Sequence, residues 1–327
     1  MTPLFGHNEA VAAFRDGLDA GRLHHAWLIS GPEGVGKAMF AHKAALRVLA
    51  NGAGPPVSVP GLDVQDEHPI ARLVEAGSHP DLMRLERLPK ENGELARSIT
   101  VDQVRGLRGL FSTTASLSPW RIVIIDSADD LERSAANALL KNLEEPPPSS
   151  VFFLVSHAPQ RLLPTIRSRC RQLRLSRLDD AAMTSALHAA LPDADAREIA
   201  ALAEAGQGSP GRAIAFRGLE IAALDRTMRE LAATGDPTNA ARSALAAALC
   251  LKSAQPRYAA FLARAPSFIA AEARGRSGAA LAEALRLWER TSDLASGAVR
   301  LSLDPQSVVF EIAGMIAALA RRRDRAA

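Results

Sequence analysis

A glycine-rich loop near the start of the chain constrains the fold more than any other segment. Residues 31–37 have the sequence GPEGVGK, which follows a short apolar run over residues 26–30 and precedes an amphipathic run over residues 37–49. The apolar run predicts a buried strand and the amphipathic run predicts a helix. Glycines let backbone N–H groups converge on a polyphosphate, a helix N-terminus adds partial positive charge, and Lys37 can neutralise phosphate oxygens. The pattern GxxxxGK between a strand and a helix therefore predicts a P-loop.

The N-terminal half alternates short apolar runs with amphipathic stretches, which is typical of βαβ units around a mostly parallel sheet. The runs over residues 122–125 and 151–155 are continuously apolar, as expected for strands covered on both faces. Residues 51–69 have mixed polarity with several Gly and Pro residues, which predicts a loop. We therefore predict an α/β domain with a parallel sheet over residues 1–176, with helices over residues 8–20, 37–49, 100–111 and 134–145.

Beyond the predicted sheet, β-branched runs disappear and the pattern becomes helical. Residues 177–217 form one small predicted unit, with breaks at Pro192 and at the glycines of residues 206–208. Residues 218–327 form a second, all-α unit, and Pro305 marks the start of its last helix because proline suits the first helical position.

Charge and composition exclude several classes of protein. The chain has 39 Lys+Arg against 36 Asp+Glu, a net charge of +3, which argues against a strongly basic protein that wraps nucleic acid. Two cysteines are too few for a disulfide framework or a four-thiolate zinc site. The first residues lack the basic and apolar regions of a signal peptide, and no apolar run is long enough to span a membrane. We therefore expect a cytoplasmic protein with no membrane partner.

The catalytic groups expected beside a P-loop are incomplete. Ala38 follows the GK pair, where a Ser or Thr hydroxyl normally ligates Mg²⁺. Asp126, after the run over residues 122–125, supplies one carboxylate, but Ser127 follows where an active AAA+ ATPase carries a glutamate that polarises water. We expect the nearby Asp129 to cap a helix rather than to replace that base. The residues predict a site that can bind ATP, holds Mg²⁺ weakly if at all, and is deficient in hydrolysis.

Two further strings carry a resemblance to a known family. Residues 137–147 have the sequence NALLKNLEEPP, and residues 168–170 have the sequence SRC. With LHHAW over residues 23–27, they resemble the AAA+ clamp-loader subunits of bacterial DNA polymerase III, and the resemblance covers nearly the whole chain. It implies that residues 177–217 are a small helical lid domain and that residues 218–327 are an oligomerisation (collar) domain.

Within that family, the gamma and tau motor subunits carry an intact Mg²⁺ hydroxyl and acid pair. Ala38 and Ser127 therefore indicate the delta-prime branch. In such subunits the SRC string supplies an arginine finger to the ATP of a neighbouring subunit, which implies that role for Arg169. The alternative for Arg169 is an ion pair with a carboxylate of its own chain.

Two polar residues match the nucleotide sensors of the family. Ser156, at the end of the run over residues 151–155, matches the sensor 1 position that faces a γ-phosphate, and Arg212 matches the sensor 2 arginine that touches nucleotide on its own chain. A strand-end hydroxyl and a solvated arginine are the alternatives. The implied ATP site comprises Gly31, Gly34, Val35, Gly36, Lys37, Ala38, Asp126, Ser156 and Arg212.

A zinc module found in relatives is incomplete in this sequence. Relatives carry four cysteines before a His-Pro-Asp string, but residues 51–78 contain no cysteine ahead of the matching string, which starts at His79. His68 and His79 alone do not complete a tetrahedral site, so we predict no zinc. We expect Cys170, in the SRC string, to be a packed side chain and Cys250, on an apolar helical face, to lie in the core.

The resemblance implies a stator-like subunit of a hetero-oligomer. It would bind gamma/tau and delta subunits, present Arg169 to an adjacent ATP site, and help to place the sliding clamp on primed DNA, with DNA contact made through the assembled complex. The alternative is an autonomous ATP-hydrolysing motor subunit of the gamma/tau kind. A P-loop nucleotide kinase, a third class, fits the first strand, loop and helix but leaves the SRC string unexplained. Ala38 and Ser127 favour the stator.

Overall fold

Five strands form the centre of the first of two units in the chain. The computed structural model describes residues 3–91, 93–112 and 114–320, and the chain divides into units over residues 1–215 and 216–327. In the first unit the elements are α1 (Asn8–Asp19), β1 (Ala26–Ser30), α2 (Lys37–Gly52), α3 (Pro69–Glu75), β2 (Leu82–Glu86), α4 (Val101–Arg105), α5 (Leu107–Ser112), β3 (Arg121–Asp126), α6 (Arg133–Glu144), β4 (Ser150–Ser156), α7 (Pro164–Arg167), β5 (Arg171–Arg174), α8 (Asp180–Ala190), α9 (Ala196–Gly206) and α10 (Pro210–Ala215).

The strands are parallel and lie in the order β2-β3-β4-β1-β5, which confirms the α/β fold with a parallel sheet. The three central strands are the three predicted from continuous apolar runs. The two edge strands were not predicted, because only one residue in each is buried and neither forms an apolar run. The predicted helix over residues 100–111 is broken at Gly106 into α4 and α5, and α3 follows the predicted loop.

Alternate side chains of each central strand point to opposite faces of the sheet. Helices pack on both of these faces, as is usual for a parallel sheet. On one face Phe153 lies in a cluster with Phe14 of α1 and Phe40 of α2. On the other face the adjacent Phe152 packs with Leu139 of α6. All seven residues of β4 are buried, which explains why the strand could be predicted from its apolar run alone.

A buried carboxylate fixes the entry of the chain into β3. Asp81 is 3% exposed, and its carboxylate accepts hydrogen bonds from the N–H groups of Ser116, Leu117 and Ser118 at 2.7, 2.8 and 3.1 Å. The Asp81 N–H itself donates to Nδ1 of His79 at 3.2 Å. Burial raises the pKa of Asp81, but these amide bonds and the nearby His79 outweigh it, so that the pKa lies below its ordinary value. The His-Pro-Asp string is therefore a structural element of this chain.

Replacing Asp81 by asparagine is expected to lower the free energy of unfolding by about 2–4 kcal/mol, because an NH₂ group then faces buried N–H donors that need an acceptor. Urea denaturation at neutral pH measures the loss, and Asp102→Asn, an exposed carboxylate in the first turn of α4, is the control.

Because of the same hydrogen bonds, the difference in free energy of unfolding between the wild type and the Asp81→Asn variant should depend on pH. The folded-state pKa is lowered, so the contribution of Asp81 is present above the ordinary value of 3.8 and is lost as the pH falls through the folded value. The two proteins should therefore converge in acid. Equal unfolding midpoints at neutral pH would contradict the role given to Asp81.

The second unit is helical, as predicted. It contains α11 (Ile221–Thr234), α12 (Ala240–Leu249), α13 (Gln255–Ala273), α14 (Gly278–Arg300) and α15 (Pro305–Ala318). α13 packs on α14 and α12 on α15, around buried residues that include Met228, Phe261 and Ile312. The predicted start of α15 at Pro305 is confirmed. Cys250 differs from the prediction: it follows α12 and is only partly buried rather than in the core.

The helices at the end of the first unit match the predicted small helical segment. α8, α9 and α10 are separated at Pro192 and at residues 206–208, where breaks were predicted. They belong to the same compact unit as the sheet, which ends at residue 215. The division into domains over residues 1–176, 177–217 and 218–327 stays a prediction.

Candidate nucleotide site and arginine finger

The first glycine of the P-loop is required by a close approach of two backbone segments. Gly31 has a φ of 148°, and a Cβ added to it would lie 2.1 Å from the carbonyl oxygen of Leu175. The N–H of Leu175 donates to the carbonyl oxygen of Ser30 at 2.8 Å, which draws the end of β5 toward the loop. Only glycine fits at this position, so Gly31 serves the sheet as well as the loop.

The side chain of Lys37 folds into the P-loop. Lys37 is 3% exposed, and its Nζ donates to the carbonyl oxygens of Gly31 and Pro32 at 2.9 and 2.6 Å. Burial lowers the pKa of Lys37 to about 8, although the nearby negative charges of Glu33, Asp129 and Asp126 act to raise it. The amine is therefore still largely protonated at neutral pH, and a polyphosphate in the loop would compete with the two carbonyl groups for it.

A cavity of about 380 Å³ opens beside the loop, within the size range of small-molecule sites. Six of the predicted ATP-site residues line it, and Ala38 places a methyl group where a hydroxyl would ligate Mg²⁺. The other three predicted residues, Gly31, Ser156 and Arg212, do not line the cavity. Gly31 is connected to it through its carbonyl oxygen, which accepts from Lys37. The six are Gly34, Val35, Gly36, Lys37, Ala38 and Asp126.

The N-terminus of α10 closes on the P-loop through backbone contacts. The Gly211 N–H donates to the carbonyl oxygen of Gly34 at 2.9 Å, and Oγ of Ser209 donates to the carbonyl oxygen of Glu33 at 2.8 Å. A Cβ on Gly211 would lie 2.9 Å from the Cα of Gly34. Pro210, Gly211 and Ile214 line the cavity, whereas Arg212, between them, does not. The sensor role of Arg212 stays a prediction.

The carboxylate of Asp126 is bound to an arginine of β2. Nη2 of Arg84 lies 2.6 Å from Oδ2 of Asp126, and Nε of Arg84 lies 2.9 Å from Oε2 of Glu86. A guanidinium on this carboxylate competes with a divalent cation, so the residues present are a poor fit to Mg²⁺. Arg84 could not be identified from the sequence, because its proximity to Asp126 follows only from the pairing of β2 with β3, which places Glu86 opposite Asp126.

Asp129 is saturated with hydrogen bonds and is poorly suited to act as a base. It accepts from the hydroxyls of Ser127 and Ser156, both at 2.9 Å, and from the N–H groups of His157 and Ala158 at 2.6 and 3.2 Å. Burial raises the pKa of Asp129, but these four bonds outweigh it and the pKa lies below its ordinary value.

The expectation that Asp129 caps a helix is wrong. Ser127 is the cap of the short 3₁₀ turn Ala128–Asp130, because its hydroxyl accepts the N–H of Asp129 at 3.3 Å, and Asp129 instead joins this turn to the end of β4. The same bonds explain Ser156: it is fully buried and donates to Asp129 rather than facing the cavity. Its role as sensor 1 is untested.

The guanidinium of Arg169 lies on the surface, after α7. Nη2 is 2.7 Å from Oε1 of Glu144, and Nη1 donates to the carbonyl oxygen of Thr165 at 2.9 Å. The Arg169 side chain is 34% exposed, and it is not among the residues that line the P-loop cavity. The next residue, Cys170, is buried, and burial raises its thiol pKa to about 12, so it is a packed side chain as expected.

A match to one protein-family model assigns the chain to a family. The family model described as DNA polymerase III, delta subunit, matches residues 6–179, more than half of the chain. The chain belongs to this family. Together with the delta′ relatives described next, this match confirms the predicted resemblance to delta-prime subunits.

Individual relatives agree with the family assignment. The chain is 39% identical over 186 residues to the DNA polymerase III subunit delta′ of Pseudomonas aeruginosa, which covers 57% of this chain and 53% of that protein. It is 33% identical over 226 residues to the subunit tau of Escherichia coli K12, covering 67% of this chain and 33% of that protein. The match thus spans about half of the length of the delta′ relative.

A solved structure of a gamma subunit-related protein from Thermotoga maritima covers 95% of this chain and all of that one, with 14% identity and a TM-score of 0.48. Within the described ranges of this family member, no helix combines the length and the apolar character that a membrane span requires.

The segment that corresponds to the zinc module of relatives is held by side chains of α2 and by a histidine. Nη1 of Arg47 donates to the carbonyl oxygens of Val59 and Asp63, both at 2.8 Å. Nδ1 of His68 accepts the N–H of Ile70 and so caps α3. Over residues 3–91, 93–112 and 114–320, no three His, Cys, Asp or Glu side chains come together as a metal site. The absence of zinc stays a prediction.

Proposed function

We propose that the chain is a stator-like clamp-loader subunit of DNA polymerase III that supplies Arg169 to a neighbouring ATP site. One observation carries the proposal: the guanidinium of the SRC string is partly exposed, beside Glu144, and does not line the cavity of its own P-loop. This position supports a role at a nucleotide on another subunit, although the intrachain ion pair, which is the alternative, is present as well. Its planar fork and permanent charge suit the oxygens of a triphosphate.

The chain's own site supports nucleotide binding better than hydrolysis. Lys37, the loop glycines and the cavity fit a nucleotide, which would supply phosphates to the amine. Three features oppose catalysis: Ala38 has no hydroxyl for Mg²⁺, Asp126 is paired with Arg84, and Ser127 stands where a base is needed. We propose that ATP can bind here, with Mg²⁺ weakly held, and that the chain does not hydrolyse it.

The partners follow from the family. We propose that residues 218–327 join gamma/tau and delta subunits in a hetero-oligomer in the cytoplasm, which acts on the sliding clamp and on primed DNA.

Phosphate release by the purified chain tests its proposed deficiency. Loss of the general base alone is expected to lower turnover at least about 100-fold relative to a motor subunit, with and without primed DNA. Lys37→Ala is the matched control, since it should leave the background rate unchanged if the chain does not hydrolyse ATP. Motor-like turnover that Lys37→Ala abolishes would establish the alternative, an autonomous gamma/tau-like motor.

A further inference from the structure

An acidic residue of the LEEPP string holds the guanidinium that is proposed to act in trans. Glu144 is the last residue of α6, and its Oε1 lies 2.7 Å from Nη2 of Arg169. The carbonyl oxygen of Thr165 accepts from Nη1 of the same side chain at 2.9 Å. Both terminal nitrogens of Arg169 therefore have an acceptor within the chain, and the guanidinium is held at the end of α6.

Both partners of this ion pair are attached to fixed backbone. Leu143, which precedes Glu144, is 1% exposed, and its carbonyl oxygen accepts from Nε2 of His25 at 3.2 Å. Ile166 of α7 is fully buried in the same core cluster as Leu143, and Cys170 belongs to that cluster too. The backbone on each side is thus immobilised by packing, and only the two side-chain ends are free to rearrange.

We propose that Glu144 is a positioning residue that holds Arg169 in a withdrawn state until the triphosphate of a neighbouring subunit competes for it. This rests on the proposed role of Arg169 as an arginine finger. The Glu144 and Arg169 side chains are 46% and 34% exposed, and a half-exposed ion pair is weak in water. A triphosphate presents more negative charge and bidentate oxygens, so it can displace a single carboxylate. Glu144 thereby sets how much nucleotide is needed to recruit the finger.

The experiment measures ATP turnover against ATP concentration in a loader reconstituted with this full chain. Glu144→Gln removes the negative charge and keeps the side chain's shape. It is expected to lower the apparent KM for ATP about two- to fivefold, the range of a weak ion pair, with kcat unchanged. Glu145→Gln is the matched control, because it removes the same charge from the next residue, outside this ion pair. It should leave both constants unchanged.

The outcomes separate the role of Glu144 from that of Arg169. If Arg169→Ala lowers turnover while Glu144→Gln leaves KM unchanged, the finger stands and the holding role of Glu144 is overturned. A fall in kcat with Glu144→Gln also overturns it, because Glu144 would then orient the finger rather than withdraw it. If Arg169→Ala leaves turnover unchanged, the proposed function itself fails. Unfolding midpoints of the isolated variants, expected to equal that of the wild type, show whether the fold is intact.

Discussion

A loader reconstituted with Arg169→Ala should assemble normally, yet the ATP site that this arginine is proposed to serve should lose about 10³-fold or more of its turnover, the range found for arginine fingers. The side chain is 34% exposed, and within the described part of the chain it has one ion pair and one bond to a backbone carbonyl, so its removal should leave the fold intact. Total turnover of the complex should fall by the share of that one site, and clamp loading should fall with it. Single-turnover ATP hydrolysis and clamp loading onto primed DNA measure the two effects.

Two further variants make the Arg169 result specific. Arg169→Lys keeps the charge but loses the planar fork, so the loader should assemble normally and recover only a small part of the lost turnover. Arg161→Ala removes another exposed arginine, which lies shortly before Arg169 in the sequence, and should change neither turnover nor clamp loading. Unchanged clamp loading with Arg169→Ala would show that the arginine only pairs with Glu144.

Gly31→Ala is expected to be the most destabilising single-methyl change in the P-loop. A Cβ would lie 2.1 Å from the carbonyl oxygen of Leu175, so β5 would have to move away from β1. We expect a loss of at least about 3–5 kcal/mol in the free energy of unfolding, the scale of steric disruption in a core. Urea denaturation followed by circular dichroism measures it.

The control for this prediction is another glycine with positive φ. Gly21 has a φ of 63°, and a Cβ added there would meet no atom within 4 Å. Gly21→Ala should therefore lower the free energy of unfolding only by the cost of a left-handed backbone for alanine, about 1–2 kcal/mol. Similar losses for the two variants would show that backbone conformation, and not the contact with Leu175, decides the cost at Gly31.

Predictability from sequence differed between the centre of the sheet and its edges. Runs such as residues 151–155 predict central strands because both of their faces are covered, so every residue is apolar. β5 has a single buried residue, and its sequence RQLR carries no strand pattern until it is paired with β1. Edge strands depend on partners that lie far away in sequence, and local periodicity does not contain that information.

The same distinction applies to the candidate site. The loop residues that line the cavity are consecutive in sequence and could be predicted from one motif. Arg84 and Glu144 could not, because each meets its partner only through sheet register or through the packing of α6 on α7. Asp129 was misassigned for a similar reason: three of its four donors, at Ser156, His157 and Ala158, lie more than twenty residues further along the chain.

The contact between α10 and the P-loop does not depend on the side chains in the cavity. Its main hydrogen bond joins the Gly211 N–H to the Gly34 carbonyl, both of which are main-chain groups. Substitutions at Ala38 or Ser127 alter the chemistry available in the cavity without touching that bond. Enclosure of the cavity and the chemistry inside it therefore depend on different groups in this chain, so a side chain in the cavity can change without loosening the contact that closes it.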